Sequence, residues 1–320
     1  MSLRAVLLDE DQLIADKEDR ERLVQAFTHC ERFASSTPQQ CTTRLRFAEV
    51  VITNGTPLTR EQLSQAKYLR LILIGGTGYE YVDYQAASEL GIAIFNCREY
   101  GVDSIAQHTF ALMLALTNSI PQFQRTVRSQ QWQQAGTFCL LSEPISELKD
   151  KTLAIIGCGA IGQRVQALAQ AFGMTVKLAE LPGRPLRSGR TPLDELLPLA
   201  DIVSLHCPLT EQTHTLFTAE RLALMKPSAF LINTARGAIV DEQALAEALA
   251  KGKLAGAGID VFCDEPPCSS HPLLAEALST KVIATPHVAW GSVQARQKMV
   301  YQMVENFSHF TEGNTLRRVI

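Results

Sequence analysis

Three glycines at the spacing GxGxxG stand where this sequence is best suited to bind a phosphate group. Gly157, Gly159 and Gly162 follow an apolar run at 153–156, which is long enough for a buried strand and too short for a helix. Apolar side chains then recur at helical spacing over 161–172. A glycine turn between a strand and a helix leaves unpaired N–H groups at the positive end of the helix dipole. This stretch is therefore predicted to bind a pyrophosphate.

A carboxylate follows the glycines at the distance expected for ribose recognition. The next predicted strand, 175–179, ends at Glu180, about twenty residues beyond the first glycine. A glutamate there accepts hydrogen bonds from the ribose hydroxyls and repels a 2′-phosphate, so the sequence favours NAD over NADP. Arg184, Arg187 and Arg190 lie just beyond it, and their charge would weaken that preference. The alternative is a structural strand–helix turn followed by a surface glutamate.

Polar and ionisable residues also end the later predicted strands. These strands cover 201–205, 229–233, 256–261 and 282–284. In open α/β sheets, ligands bind outside the carboxyl ends of the strands. Arg236, the segment 260–265 and His287 are therefore expected to converge on one rim.

The first hundred residues alternate strand and helix patterns, which predicts a small parallel sheet wrapped by helices. The predicted strands are 3–8, 50–53, 69–74 and 92–95, and the predicted helices are 19–27, 59–66 and 86–90. The glycine-rich segment 75–78 indicates a tight turn or a close backbone approach. A helix over 102–119 is apolar around most of its circumference, so it is expected to be buried in the core or against a second subunit. Residues 129–138 are polar and are predicted to be irregular.

Length, charge and cysteine pattern exclude several classes of protein. The 320 residues suffice for two domains, and 46% hydrophobic with 20% charged residues is ordinary for a soluble enzyme. A formal charge of −3 gives no electrostatic basis for binding nucleic acid or an anionic membrane. We see no secretory leader and no apolar stretch of about 18 residues. The eight cysteines form no CxxC pair, which favours free thiols in a reducing cytoplasm over disulfides or a metal site.

Three further motifs carry a resemblance to a known family. NTARG at 233–237, GIDVFCDEPP at 258–267 and TPHVAW at 285–290 follow the glycine motif. Together they resemble the D-isomer-specific 2-hydroxyacid dehydrogenases over nearly the whole chain. The segments YGVDSIAQHTFAL and FCLLSEPISELKDKTLAIIG are most similar to the glycerate dehydrogenase, or hydroxypyruvate reductase, branch.

The resemblance implies an α/β fold in which a Rossmann-type doubly wound parallel sheet domain is inserted into a smaller flavodoxin-like α/β domain. The substrate domain would be discontinuous, comprising 1–99 and 290–320, and the dinucleotide-binding domain would be 100–289. The family places its active site between the two domains. The long helix after Tyr100 would form the contact of a homodimer.

The resemblance also implies a role for each residue of a catalytic set. Arg236 would bind the carboxylate and carbonyl of a 2-oxo acid, since guanidinium offers several fixed donors. His287 would exchange a proton with the carbonyl oxygen, and Glu265 would orient its ring and favour its protonated form. The backbone N–H groups of Gly76, Thr77 and Gly78 would bind the substrate carboxylate. Taken singly, Arg236, Glu265 and His287 could instead be an ion-paired surface residue, a helix-flanking charge and a hydrogen-bonded loop histidine.

The cofactor site would include further residues by the same resemblance. Besides the three glycines and Glu180, they are Ala160, Ile161, His206, Cys207, Pro208, Thr213, Thr234 and Ala235. Asp260 would bind the nicotinamide carboxamide, with a strand-end cap as the alternative. Phe138 and Trp290 would wall the substrate side. His108 is expected to be a hydrogen-bonded core residue, and His29, His214, His271 and His309 carry no motif.

These observations predict an NAD-dependent oxidoreductase that interconverts a small 2-oxo acid and its D-2-hydroxy acid, without a metal. The favoured pair is hydroxypyruvate and D-glycerate, followed by glyoxylate and glycolate. The alternative is a non-catalytic NAD-sensing scaffold of the corepressor type that shares this fold.

Overall fold

Strands and helices alternate along the chain in the computed structural model, which describes residues 3–13 and 16–320. The strands are β1 (Arg4–Leu7), β2 (His29–Arg32), β3 (Val50–Thr53), β4 (Leu71–Ile74), β5 (Ala93–Phe95), β6 (Thr152–Ile156), β7 (Thr175–Glu180), β8 (Arg190–Pro192), β9 (Ile202–Leu205), β10 (Phe230–Asn233), β11 (Gly256–Ile259) and β12 (Val282–Ala284). The helices are α1 (Glu10–Leu13), α2 (Lys17–Gln25), α3 (Pro38–Leu45), α4 (Arg60–Gln65), α5 (Tyr84–Glu89), α6 (Val102–Thr117), α7 (Ile120–Arg128), α8 (Gln131–Ala135), α9 (Ala160–Ala171), α10 (Leu193–Leu196), α11 (Ala219–Leu224), α12 (Glu242–Ala250) and α13 (Val293–Glu312). Among the helices of these residues, none combines the length and the apolar character needed to cross a membrane.

The chain divides into two compact units. The first comprises Met1–Gly101 and Gly291–Ile320, and the second comprises Val102–Trp290. The assignment of substrate to the first and dinucleotide to the second, with boundaries at 99–100 and 289–290, stays a prediction.

The first unit contains a five-stranded parallel sheet in the order β2-β1-β3-β4-β5. This is the strand order of flavodoxin-like folds, so the predicted α/β class is confirmed. Strands β3 and β4 are buried along their whole length, which explains their continuous apolar runs, VVIT and LILI. Helix α13 returns from the end of the chain and packs against α2 and β4.

Three elements of the first unit were absent from the sequence prediction. Strand β2 has the polar sequence HCER and lies at the sheet edge with mostly exposed side chains, so it lacks the apolar signal of a strand. Helix α1 has only four residues, EDQL. Helix α3 is polar, but Thr37 and Gln40 form a capping box at its start. A second capping box, formed by Thr59 and Gln62, begins the predicted helix α4.

The second unit contains a seven-stranded parallel sheet in the order β12-β11-β10-β9-β6-β7-β8. Its first six strands, β6 to β11, follow the Rossmann order, which reverses direction between β6 and β9. The ligand crevice of such sheets lies at that reversal, outside the carboxyl ends of the strands. Edge strand β8 was not predicted, because its three residues lie in the basic segment after Glu180.

The prediction of an irregular segment at 129–138 is wrong in part. Helix α7 carries Pro121 in its first turn, where a missing N–H costs nothing, and it ends at Arg128. Helix α8 follows between two residues of positive φ, Gln130 at +61° and Gly136 at +62°. Neither helix has a fully buried residue.

Candidate active site

The glycine motif forms the turn from β6 into α9. Gly157 has φ of +95°, and a Cβ there would lie 2.5 Å from the Cys207 nitrogen. A Cβ on Gly162 would lie 2.3 Å from the Gly157 oxygen. By contrast, a Cβ on Gly159 would meet nothing within 4 Å. Two glycines are thus required by packing, while the third faces open space at the N-terminus of α9, where Ala160 and Ile161 begin the helix. This cradle fits a pyrophosphate.

Glu180 ends β7 as predicted, but its carboxylate already accepts hydrogen bonds from within the protein. Only 3% of the Glu180 side chain is exposed, and its oxygens accept hydrogen bonds from Arg187 Nε at 2.6 Å and Nη2 at 2.7 Å. Arg190 Nε lies 3.8 Å from the same carboxylate. The bond from Arg187 lowers the pKa of Glu180 to about 2, against the opposing effect of burial. Arg187 therefore neutralises the charge that was expected to repel a 2′-phosphate.

The residues after β9 form a tight turn beside the glycine motif. His206 Nε2 lies 2.8 Å from the Ser204 hydroxyl, and burial lowers the pKa of His206 to about 4, so the ring is neutral at physiological pH. Cys207 is buried, and this raises the pKa of its thiol to about 11. The Thr213 hydroxyl donates to the Pro208 oxygen at 2.6 Å. These bonds fix the turn, and contact of its residues with the cofactor stays a prediction.

Arg236 follows β10 in a turn that its neighbour Asn233 braces. The Asn233 amide donates to the Arg236 oxygen at 2.9 Å and accepts from the Ala235 N–H at 3.0 Å. Asn233 is 1% exposed, and Thr234 between them is also buried. Arg236 Nη1 donates to the Ala235 oxygen at 2.8 Å. The sequence analysis gave Asn233 no role, although it stands first in the NTARG motif.

Glu265 and His287 lie in hydrogen-bond contact, as the sequence analysis proposed. His287 Nδ1 lies 2.7 Å from Glu265 Oε2, and Glu265 Oε1 accepts from the Phe262 N–H at 2.9 Å. Burial raises the pKa of Glu265, but the bond and charge of His287, the Phe262 N–H and the charge of Arg236 together lower it below its ordinary value. The positive charge of Arg236 thus stabilises the ionised form of Glu265. With Nδ1 held by Glu265, the Nε2 atom of His287 is left to exchange a proton with a ligand.

The turn that presents His287 is held by Asp260. His287 has φ of +52°, a conformation that non-glycine residues rarely adopt. Asp260 is 1% exposed and accepts hydrogen bonds from Thr285 Oγ1 at 2.6 Å, the Val288 N–H at 2.9 Å and the Ala289 N–H at 2.9 Å. These contacts are those of the strand-end cap given above as the alternative for Asp260. The carboxamide contact stays a prediction.

The remaining predicted residues differ in how firmly the structure holds them. In the first unit, the oxygens of Gly76 and Thr77 accept from the Cys97 N–H and the Asn96 amide, which fixes the 76–78 loop. In the second unit, His108 Nε2 lies 2.9 Å from Thr285 Oγ1, consistent with a hydrogen-bonded core residue. Phe138 is 96% exposed, so its own unit gives it no packing partner of consequence.

His271 was given no role from its sequence, yet it is buried and bonded. Its Nε2 lies 3.1 Å from Glu242 Oε2. The only signal in the sequence was its position shortly after the GIDVFCDEPP motif.

Comparison with known proteins agrees with this arrangement. The model of the D-isomer specific 2-hydroxyacid dehydrogenase NAD-binding domain matches residues 110–289. The chain is 37% identical to the glycerate dehydrogenase of Methylorubrum extorquens, over 93% of this chain and 95% of that protein. It is 33% identical to the hydroxypyruvate reductase of Blautia hydrogenotrophica, over 90% of each.

A solved structure extends the likeness to the fold. The D-lactate dehydrogenase of Aquifex aeolicus, complexed with NAD and lactic acid, superposes with a TM-score of 0.84 at 30% identity, covering 98% of this chain and 97% of that one. Sequence and strand order therefore agree, and the chain belongs to the NAD-dependent D-isomer-specific 2-hydroxyacid dehydrogenases.

Proposed function

We propose that this chain reduces hydroxypyruvate to D-glycerate with NADH and catalyses the reverse reaction, with glyoxylate and glycolate as the second pair. The observation that carries the proposal is the 2.7 Å contact between His287 and Glu265, with Arg236 acting on the same carboxylate. The names of the two relatives above support the choice of substrate.

The proposed mechanism assigns separate tasks to the residues of this site. Arg236 binds the carboxylate and the carbonyl oxygen of the 2-oxo acid through its fixed donors. The protonated His287 donates from Nε2 to the carbonyl oxygen as hydride, supplied by bound NADH, reaches the carbon. Glu265 stabilises the imidazolium and fixes the ring through Nδ1. In the oxidation direction, neutral His287 takes the proton of the hydroxyl group back.

The cofactor and the substrate carboxylate are proposed to be held by backbone groups and by Glu180. The N–H groups at the start of α9 would bind the pyrophosphate, and Glu180 would accept from the adenosine ribose. In the first unit, we propose that the 76–78 loop binds the substrate carboxylate. The eight cysteines are free thiols, which supports a reducing, cytoplasmic setting.

We also propose that the protein is a homodimer. A groove of about 500 Å³ lies between α6 and α9, lined by Phe110, Ala111, Leu114, Leu168 and Phe172 among others. The following segment exposes further large apolar side chains, including Phe138 at 96% and Leu141 at 77%. Large apolar side chains exposed in this way indicate an interaction surface. A second copy of the chain is the occupant that we propose.

The test of the activity is NADH consumption by the purified protein with hydroxypyruvate, glyoxylate, pyruvate and a bulky aromatic 2-oxo acid, repeated with NADPH. We expect the fastest turnover with hydroxypyruvate, and we expect His287→Gln to lose about 10²-fold or more in kcat because the proton donor is gone. Preference for another acid would overturn the choice of substrate. Binding of NADH without turnover of any acid would overturn the activity and favour the sensing scaffold.

A further inference from the structure

A second carboxylate–imidazole pair, Glu242 and His271, is linked to the proposed catalytic pair through two consecutive peptide groups. We propose that Glu242 and His271 are positioning residues that hold Glu265 in place against His287. The proposal rests on the proposed function of Glu265 and His287. It assigns a task to two residues that touch neither of the reacting groups.

The link consists of the peptide groups Val261–Phe262 and Phe262–Cys263. The N–H of Phe262, in the first, donates to Glu265 Oε1 at 2.9 Å, and the N–H of Cys263, in the second, donates to Glu242 Oε1 at 3.0 Å. Two adjacent backbone donors therefore bind two different carboxylates. A movement of the Phe262–Cys263 peptide away from Glu242 would also move the neighbouring donor that orients Glu265.

The same peptide lies against the residue that follows Arg236. A Cβ on Gly237 would stand 2.0 Å from the Phe262 carbonyl carbon and 2.3 Å from the Cys263 nitrogen. Only a residue without a side chain leaves room for this approach. The Phe262–Cys263 peptide is thus packed on the Arg236 turn, and the hydrogen bond from its N–H to Glu242 fixes its direction.

His271 completes the arrangement by fixing the far oxygen of Glu242. His271 Nδ1 accepts from the Leu273 N–H at 3.3 Å, so the ring proton is on Nε2, which donates to Glu242 Oε2 at 3.1 Å. The two side chains are 10% and 13% exposed. The His271 ring also meets the edge of Phe262, with ring centroids 5.1 Å apart. Both ends of the Glu242 carboxylate are therefore held.

The local backbone explains why Glu265 needs this support. Residues 260–271 contain no helix or strand, so no ladder of backbone hydrogen bonds sets the position of Glu265. Glu242, by contrast, is the first residue of α12, a regular element. The pair ties an irregular segment to a helix, as outer hydrogen-bond partners do when they orient a functional ligand. Asp241, Asp264 and the Cys263 thiol are the other titratable groups close to this link.

Two substitutions of His271 separate the two bonds of its ring. His271→Asn places an oxygen where Nδ1 accepts from Leu273 and removes the donor to Glu242. His271→Gln reaches as far as Nε2, so it can still donate to Glu242, but it gives up the contact with Leu273. If His271 positions Glu265, we expect His271→Asn to weaken the contact between Glu265 and His287 and His271→Gln to preserve it.

The first readout does not depend on turnover. The ring ¹⁵N chemical shifts of His287, recorded by NMR without cofactor and assigned through His287→Gln, report its bond to Glu265. We expect His271→Asn to move the Nδ1 shift toward the value seen in Glu265→Ala, and His271→Gln to stay near the wild type. No change in either variant, or equal changes in both, would overturn the proposal. If His271→Asn does not fold, Glu242→Gln tests the same link from the other partner.

The second readout is the pH profile of NADH-dependent reduction. In His271→Asn, we expect kcat to fall about tenfold and the fall-off at high pH to begin about half a unit lower, because the imidazolium loses a well-placed partner charge. In His271→Gln, both should be restored. A wild-type protein that reduces no 2-oxo acid would defeat the proposed function, whereas the ¹⁵N shifts would still decide the positioning role.

Discussion

Glu265 combines burial with three favourable contacts, and their balance sets how the site responds to pH. Burial raises its pKa, while His287, the Phe262 N–H and Arg236 lower it further than burial raises it. A carboxyl group whose pKa is depressed in the folded state stabilises the fold above its unfolded pKa. That contribution is lost as the pH falls through the lower folded value. Glu265 is therefore ionised at neutral pH and loses its charge only in acid.

Replacement of Glu265 by glutamine removes the charge and keeps the size of the side chain. We expect Glu265→Gln to lower the pH at which reduction falls off by about one unit, because the protonated His287 loses its charged partner. The measurement is kcat/KM for the 2-oxo acid against pH. Glu247→Gln, which removes an exposed glutamate paired with Lys251, serves as the control and should leave the profile unchanged. A Glu265→Gln profile that coincides with the wild type would contradict this role.

Arg187 is expected to govern the choice between NAD and NADP through its bond to Glu180. Arg187→Gln leaves the buried Glu180 carboxylate without its closest counterion, so the repulsion of a 2′-phosphate increases. We expect the ratio of Kd for NADPH to Kd for NADH to rise about tenfold, as measured by fluorescence titration. Arg184→Gln removes an equal charge from the same segment and is the matched control. Equal Kd ratios in the two variants would contradict this role of Arg187, because the choice of cofactor would then depend only on the net charge of the segment that contains both arginines.

At the scale of elements, Asp9 connects the end of β1 to the turn between β3 and α4. Its carboxylate is fully buried and accepts from Thr53 Oγ1 at 2.7 Å, from Thr56 Oγ1 at 2.8 Å and from the N–H groups of Asn54, Gly55 and Thr56. The surrounding core offers these donors no acceptor that could replace the Asp9 carboxylate. The turn therefore depends on a residue that lies far from it in sequence.

Asp9→Asn replaces one of the accepting oxygens with a donor and leaves buried donors unpaired. We expect a loss of about 3 kcal/mol in the free energy of unfolding of the first unit, measured by urea denaturation and by hydrogen exchange in β1 and β3. The control, Asp194→Asn, breaks an exposed ion pair with Arg221 and should cost at most about 1 kcal/mol. Similar losses in the two variants would contradict the structural role of Asp9.

The elements that the sequence predicted are those whose signal is local. The buried strands β3, β4 and β10 appear as apolar runs, and the helix α4 begins at a capping box. Strands β2 and β8 could not be recognised, because none of their side chains is buried and their sequences carry no apolar pattern. Their existence depends on the pairing partners β1 and β7, which lie elsewhere in the chain.

The residues of the candidate site divide in the same way: some belong to short sequence motifs, and others act through contacts with distant parts of the chain. The glycine turn and the Arg236, Glu265 and His287 motifs could be named from sequence, since each is contained in a short segment. The bond of Arg187 to Glu180 and the contact of His271 with Glu242 could not, because each depends on how a loop folds back. The sequence analysis therefore named the candidate reacting groups and missed the residues that hold or neutralise them.

For the whole molecule, the groove between α6 and α9 makes the proposed homodimer testable. Ala111 is an exposed residue of that groove, so Ala111→Arg adds bulk and charge without disturbing the core. We expect the variant to be monomeric by size-exclusion chromatography with light scattering, while the wild type is dimeric. Ala250→Arg, at an exposed position at the end of α12, is the control and should remain dimeric. A dimeric Ala111→Arg protein would place the interface elsewhere.

The return of α13 to the first unit has a consequence for how the protein is made. Met299, Val300 and Met303 of α13 are buried, and Asn306 donates to the Asn96 oxygen at 2.9 Å. Strands β1 to β5 therefore leave the ribosome long before the helix that completes their core, whereas the second unit has its entire sequence available earlier. Domains usually fold in the order of their synthesis. In this chain the unit that starts first is finished after the second one, and its unfinished apolar surface must stay free of aggregation until α13 has been synthesised.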